Sequence, residues 1–560
     1  MEGTTMTETS ARPFSRRGLL FYFALLACFV IFFDLGGREP ETKDYIKHAE
    51  VAREIRELGD WNLLHLGGRI YVDKPPLHFW LMAGAYRVLG VGPVAARMPE
   101  ALAALASVLL VFFVGERFFS SAETGFLAGL FLLSSYAFYI YARRMRLDLE
   151  FSLFFGLALL SFHFGLKAPD RNRKALWYLA FWFSTGLAGM VKAFVALAVL
   201  PVVIPIVLGL LGREDRKDAA PLLLAATSPA LFVPVIPWAL GLLSHPQFED
   251  YVQVLRRVTI MTRHGGWFYY LVEFPTKFMP ATPFLALGVW AFLRHRGALA
   301  GRKELSFLLL WIGVFLLVLH VFMPSSLVAA WAASFYRARR PGRWASIMGP
   351  ADRIIFWITA ASFLFPLAVA LYFQGAVTRA LLLSFTAAAA FLLARRNLPM
   401  RTAGVFVSVL FLLLNIELGD GIRDDKTGRY RALCLALRAR GLEPAQVGFQ
   451  GCDARARYFA AFFYDRLPPC AERLEDLLSD PHLKAVVAGE EALKRALGQR
   501  GAPGGRVVTF RKRLAVFFRE PGPQAGNAGP GSPSWWAYSP CRMERTFSEL
   551  TKCPRPPASR

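Results

Sequence analysis

Ala142-Arg143-Arg144-Met145-Arg146-Leu147-Asp148 separates two apolar blocks, residues 122–141 and 149–166. Each block has the length of a bilayer-spanning helix, and so short a connection makes the two antiparallel neighbours. Such blocks recur along the chain. Further candidate spans are residues 18–33, 101–119, 175–191, 194–211, 220–243, 268–293, 305–323, 354–373, 376–394 and 402–418. With 55% hydrophobic and only 19% charged residues among 560, a single soluble core and a mainly disordered chain are both excluded. The chain reads as an α-helical polytopic membrane protein.

The net charge of +24, from 65 Lys and Arg against 41 Asp and Glu, could suggest nucleic acid. In a polytopic chain the surplus belongs instead to inner loops facing anionic lipid, and no nucleic-acid partner is predicted. Six cysteines in this length do not make a disulfide framework, and Cys28 is read as a packed thiol within the first block. Arg16-Arg17 precedes that block, which leads into Asp34-Leu35-Gly36-Gly37-Arg38 without a small-x-small cleavage site. This predicts a retained first span with its N-terminus inside.

Threading the chain puts the basic loops 167–174, 212–218 and 294–303 inside. Arg337-Ala338-Arg339-Arg340-Pro341-Gly342-Arg343 also needs an inside address. A short or tilted crossing at residues 325–336 satisfies it, giving about 13 spans with everything after Gly419 outside. The predicted organisation is a transmembrane unit of residues 1–419 with an outer loop at 35–100, a small soluble α/β domain at 420–520, and a tail at 521–560 too poor in apolar residues to fold. Within 420–520 the patterns predict a helix over 429–440, strands at 446–450 and 484–487, and a closing pair at 506–510 and 514–518.

Outer loops rarely carry clustered arginine, yet Arg143, Arg144 and Arg146 lie in one, and Arg256, Arg257, Arg263 and His264 in another. Contact with lipid phosphate is one account; a built site for an anionic group is the other, since guanidinium holds phosphate oxygens bidentately. In the first outer loop, residues 44–58 are amphipathic, with Tyr45, Ala49, Ala52 and Ile55 on one stripe, which predicts a helix lying flat on the bilayer. Asp44 at its start reads first as an N-cap worth about 1 kcal/mol, and Asp148 has the same reading for the span that follows it. Lys74-Pro75-Pro76 opens a second helix over 77–89, with Lys74 an interfacial anchor on the simplest view. Lys192 differs. It sits between apolar blocks without an obvious partner in sequence, and a basic group at that depth reads as functional.

Asp44, Ala49-Glu50-Val51-Ala52-Arg53-Glu54, Gly59-Asp60-Trp61, Tyr71-Val72-Asp73-Lys74-Pro75-Pro76-Leu77, Gly90-Val91 and Ala96-Arg97-Met98-Pro99 together resemble the first-loop signature of the GT-C glycosyltransferases. The likeness is to the bacterial aminoarabinose transferases and protein O-mannosyltransferases. It continues through Arg146-Leu147-Asp148 and Gly189-Met190-Val191-Lys192, covering most of residues 18–520. The sequence departs from the pattern at Asp44-Tyr45, where an Asp-Glu pair is usual, at Lys47, where arginine is usual, and at residues 324–327, which lack a recognisable lysine segment.

The resemblance implies a GT-C fold in the bacterial inner membrane and a sugar carried on a polyprenyl phosphate. It implies an inverting hexosyl or pentosyl transfer to a lipid A-like lipid or a protein on the outer face. Asp44 and Asp148 would be the catalytic carboxylates, with Lys47, Lys74, Arg143, Arg144 and Lys192 holding the lipid phosphate as it leaves. No cofactor is required by this chemistry. A zinc ion between Asp73 and His264 is suggested by some relatives, although two ligands make a thin site. Asp148-Leu149-Glu150 also has the form of a metal motif, but positions two apart on a helix diverge. The rival class is a multispan transporter or anion-binding protein, which would need polar groups near the midplane and matched broken helices; no such repeat is visible.

Overall fold

The structure, a computed structural model, describes residues 16–33, 35–36, 43–192, 233–257, 278, 280–294, 302–315, 325–332, 425–452, 455–498, 505–510 and 514–519. The predicted spans 194–211, 354–373, 376–394 and 402–418, the loop 337–343, His264 and the tail 521–560 lie outside the described residues.

The N-terminal half is helical: α1 (Arg16–Phe32), α2 (Lys43–Leu58), α3 (Leu77–Leu89), α4 (Pro93–Phe119), α5 (Ala122–Ser134), α6 (Tyr136–Ala142), α7 (Asp148–Lys167) and α8 (Arg171–Lys192). Helices α1 and α4 to α8 share one apolar core, with Phe23, Phe112, Phe131, Phe151 and Phe162 fully buried. Trp311, from the helix Arg302–Phe315, closes it from the later sequence. Among the described residues α4 and α7 are long and apolar enough to cross a membrane, as are α5 and α6 if the pair is one crossing. That pair was expected as one straight span, but it bends by 71°. Ser135 is the cause: its backbone is extended (φ −61°, ψ 127°), and its hydroxyl donates to the Phe131 carbonyl at 2.7 Å. Serine bonding back onto the preceding turn is a recognised way to break a helix.

Helix α4 begins eight residues before the predicted position 101. Pro93 occupies its first turn, where a missing N–H costs nothing, and Arg97 is buried against the Leu35 and Pro93 carbonyls at 3.3 and 3.1 Å. Helices α4 and α5 touch through glycine: a Cβ on Gly125 would stand 2.3 Å from the Phe112 carbonyl oxygen, so only glycine fits.

The expectation that α2 lies flat on lipid is corrected. Tyr45, Ala49, Ala52 and Ile55 are at most 8% exposed and pack on Phe79, Met82 and Tyr86 of α3. The opposite face is covered too, because Ile46 joins a second core with Leu433 and Phe459. Helix α2 is thus sandwiched inside the protein. It is α3 that turns Leu81, Val88 and Leu89 outward.

The C-terminal unit holds a five-stranded sheet of β3 (Val447–Gln450), β4 (Cys470–Ala471), β5 (Ala485–Gly489), β6 (Gly505–Phe510) and β7 (Leu514–Arg519), with a small hairpin, β1 (His65–Leu66) and β2 (Arg69–Ile70), standing earlier in the chain. The strand order is β4-β3-β5-β7-β6; β3 pairs parallel with β4 and β5, and β7 antiparallel with β5 and β6. Every predicted strand is present within a residue or two. The helix Asp425–Ala439 starts earlier than residue 429, and the two-residue β4 has too little periodicity to be read from sequence. Cys452 and Cys470 form a disulfide with Cα atoms 5.2 Å apart, a single bridge among the described residues and not a framework, while Cys28 and Cys434 are thiols outside it.

A charged seam binds α2 to this unit. The Arg53 guanidinium, fully buried, donates to both Glu50 oxygens at 2.9 Å, to Glu57 at 2.5 Å and to the Asp465 carbonyl at 3.4 Å. Arg56 pairs with the Asp465 carboxylate. Glu54 accepts the Gly67 and Gly68 amides at 2.6 and 3.2 Å, which clamps the β1–β2 turn; both glycines have positive φ (65° and 76°). Burial, followed by the neighbouring Glu50, pushes the Glu54 carboxyl up to about 8.

Candidate active site

Helices α7 and α8 contain 20 and 22 residues and are joined by a short turn, so the end of α8 returns to the start of α7. This brings Lys192, the last residue of one, to Asp148, the first residue of the other. Lys192 Nζ lies 2.5 Å from Asp148 Oδ1, with the two side chains 16% and 15% exposed. The second Asp148 oxygen accepts from the Arg146 Nε–H. Asp148 therefore does not cap its helix. It is held between two cations and opens to a partly accessible space. Arg146 stacks on Tyr141, 4.2 Å from the ring centroid, and Lys192 lies 5.3 Å from the centre of Phe151.

The first outer loop meets this pair. His48 on α2 contacts the Met145 carbonyl through Nδ1 at 3.3 Å. Burial, with His78 and Lys74 nearby, lowers its imidazole to about 3 despite the opposing Met145 carbonyl and Asp148, so it is neutral at physiological pH. Tyr71 is buried; burial first, then the fields of Asp73 and Asp44, push its phenol upward. Asp44, Asp73 and Lys74 are exposed around it. Among the described residues the Asp44 carboxylate has neither a hydrogen bond nor an ion pair, so the capping account of Asp44 finds no support here.

The remaining predicted cations divide. Arg143 is only 4% exposed and donates to the Val30 carbonyl at 3.1 Å, beside the Tyr139 ring, so it joins the end of α1 to α6. Arg144 and Lys47 are half-buried. Arg146 and Tyr71 stand in the motifs read from the sequence but were given no role at the site there, and His48 was not singled out. As for the predicted zinc ligands, Asp73 offers one exposed donor and His264 lies outside the described residues, so no chemistry is routed through that pair. Asp148 and Glu150 do diverge: Glu150 is 1% exposed and faces His78.

The Gly59-Asp60-Trp61 segment organises the loop. Gly59 (φ 72°) ends α2, and Asp60 accepts the Asn62 and Leu63 amides at 3.0 Å and contacts His245 Nε2 at 3.0 Å. The Trp61 carbonyl takes the Trp80 indole N–H at 2.7 Å. Beside the site, α3, α4 and α7 frame an apolar cleft of about 540 Å³ lined by Leu81, Val88, Met98, Leu102 and Phe154.

Similarity to known proteins supplies the frame for this geometry. The fold of ArnT from Cupriavidus metallidurans, crystallised with undecaprenyl phosphate, superposes with a TM-score of 0.68 at 20% identity, covering 90% of this chain and 98% of that one. The fold is that of ArnT. Residues 73–238 match the dolichyl-phosphate-mannose-protein mannosyltransferase family. The chain is 30% identical over 303 residues to the undecaprenyl phosphate-alpha-4-amino-4-deoxy-L-arabinose arabinosyl transferase of Serratia proteamaculans, covering 52% of each protein. It is 29% identical over 274 residues to the enzyme of the same name from Edwardsiella ictaluri, covering 48% of this chain and 49% of that one. The chain spans about half the length of the curated relatives it matches, and the family match over residues 73–238 contains Lys74 and Asp148.

Proposed function

We propose that the protein is an inner-membrane glycosyltransferase that moves a sugar from a polyprenyl-phosphate donor to a lipid acceptor of the lipid A type on the extracytoplasmic face. The observation that carries this reading is the Asp148–Lys192 ion pair with Arg146 beside it, partly open to solvent, with His48 of the first outer loop feeling both Asp148 and Lys74. Glycosyl transfer needs such a cluster. As the acceptor oxygen attacks the anomeric carbon, the bond from that carbon to the lipid phosphate breaks, and the phosphate leaves with an added negative charge. Cations fixed in advance lower the energy of that charge. This reading gives that role to Lys74, Arg146 and Lys192.

A single attack opposite the leaving phosphate inverts the anomeric centre. Asp44, exposed at the start of α2, serves as base toward a hydroxyl acceptor. If the acceptor is itself a phosphate, already ionised, Asp44 positions it instead. The apolar cleft beside α3 is the natural seat for a lipid tail whose phosphate reaches the cations.

The thirteen-span topology, with the domain of residues 420–520 outside, belongs to the same proposal. Its support is the seam of Arg53 and Arg56 with Asp465, which keeps the C-terminal unit on the side of Asp44, and the Cys452–Cys470 disulfide, of a kind that persists in oxidising compartments. A reporter fused after Gly419 should be active only outside the cytoplasm; cytoplasmic activity refutes the odd count.

The test of function is reconstituted transfer from a polyprenyl-phosphate sugar, read by mass spectrometry of the acceptor lipid. Asp44→Asn should abolish transfer with thermal stability unchanged. Activity of that variant within a few-fold of the parent removes Asp44 from the chemistry, and transfer from a nucleotide sugar without lipid carrier overturns the donor assignment.

A further inference from the structure

Beneath the Asp148 site three ionisable side chains from three helices converge in the protein interior. His78 of α3, Glu100 of α4 and Glu150 of α7 are each at most 1% exposed, and one donor atom from each lies within 4.8 Å of the others. His78 Nδ1 is 3.0 Å from both Glu150 oxygens. Glu100 Oε2 accepts the Leu149 amide at 3.1 Å. Two atoms are left over: among the described residues, Glu100 Oε1 and His78 Nε2 are buried with no hydrogen-bond partner.

We propose that these residues bind a divalent transition-metal ion, Zn²⁺ by preference, as a structural bolt between α3, α4 and α7. Two carboxylates this close cannot both stay charged in an apolar surround without compensation, and a single imidazole carries at most one positive charge. A 2+ ion neutralises both carboxylates. It also occupies lone pairs that a shared-proton arrangement leaves unmet. One imidazole nitrogen and two carboxylate oxygens form a donor set suited to zinc, three protein ligands leaving a fourth position for water. Access exists, because Glu150 also lines the apolar cleft between these helices.

The site would do mechanical work for its neighbour. Glu150 is two residues past Asp148, and the Glu100 carboxylate that binds the ion also holds the Leu149 amide, so the ion fixes the first turn of α7 from which Asp148 projects. His78 ties in α3, whose preceding residues carry Lys74. His78, Glu100 and Glu150 are thus positioning residues, acting through the frame of the site without touching substrate. This site is distinct from the Asp73 and His264 pair considered from the sequence.

The experiment uses the full chain, purified in detergent on a tag free of histidine. Elemental analysis should find one zinc per chain. The X-ray absorption edge should show a shell of nitrogen and oxygen donors with no sulfur. Stripping with a chelator should lower Tm, and Zn²⁺ alone should restore it. Glu100→Gln and His78→Ala should each weaken Zn²⁺ binding at least about tenfold, whereas Asp73→Asn should leave it unchanged. Zinc retained by both variants, sulfur in the shell, or a Tm indifferent to stripping and reloading would each overturn the proposal; the last needs only the unaltered chain, should the variants fail to fold. Metal content is read without any transfer assay, so failure here leaves the transferase reading intact, and the reverse holds too.

Discussion

Replacing Lys192 with methionine separates the chemical from the structural role of the ion pair at the centre of the site. Methionine keeps the length and apolar stem and removes only the charge. Lys192 Nζ stands 2.5 Å from Asp148 Oδ1, and the two side chains are 16% and 15% exposed. Leaving a partner charge buried and unpaired costs about 3–5 kcal/mol in a closed interior. Two features reduce that here. Arg146 still holds the other Asp148 oxygen, and water reaches the pair. A loss of about 1–2 kcal/mol is therefore expected for Lys192→Met, a lowering of Tm by a few degrees, between an exposed pair and a sealed one.

Transfer should suffer more. A cation aimed at the leaving phosphate is worth about 2.7–4 kcal/mol at the transition state, a fall of about 10²- to 10³-fold in kcat. The assay is single-turnover transfer from a polyprenyl-phosphate sugar, with Tm measured on the same preparation. Asp148→Asn completes a double-mutant cycle, in which the two changes should be strongly non-additive because one interaction is removed twice. If Lys192→Met transfers within a few-fold of the parent while losing the expected stability, the pair is structural and the assignment of Lys192 to the phosphate is wrong.

Arg146→Ala and Arg143→Ala should part company: the first lowers transfer with a small change in Tm, whereas the second, which strips a buried donor from the Val30 carbonyl, destabilises by about 1–3 kcal/mol. Equal effects on transfer at equal Tm would contradict that division. Glu54 gives a pH prediction. Its carboxyl keeps a proton up to about 8 when folded, but has an ordinary value of 4.5. The unfolded chain thus binds fewer protons across that window, and stability should fall as pH rises from 4.5 through 8 and then level. Glu54→Gln should flatten this part of the Tm profile, and an unchanged slope would mean that another group titrates.

What was legible in the sequence is what local periodicity and composition dictate. Apolar blocks such as residues 149–166 become helices in lipid, because a single segment can satisfy all its backbone hydrogen bonds within itself only as a helix, and α7 spans Asp148–Lys167. Strands β3, β5 and β7 were legible for a different reason, as short apolar runs buried on both faces and bounded by turns. The loop motif with Lys74-Pro75-Pro76 pointed to the candidate site because its residues are close in sequence.

The tertiary structure alone decided the pairings across distance. Lys192 finds Asp148 from 44 residues away, His78 finds Glu150 across 72, and Arg143 reaches Val30 across 113. A span's length constrains which ends meet, but not which face of one helix looks at which face of another. The same limit explains α2. An apolar stripe is equally satisfied by lipid and by protein, so the pattern of Tyr45, Ala49, Ala52 and Ile55 could not reveal that α3 covers it, nor that Ile46 on the far side enters the C-terminal core. Hydrophobic burial is non-directional. It says that a surface will be covered, and only the packed chain says by what.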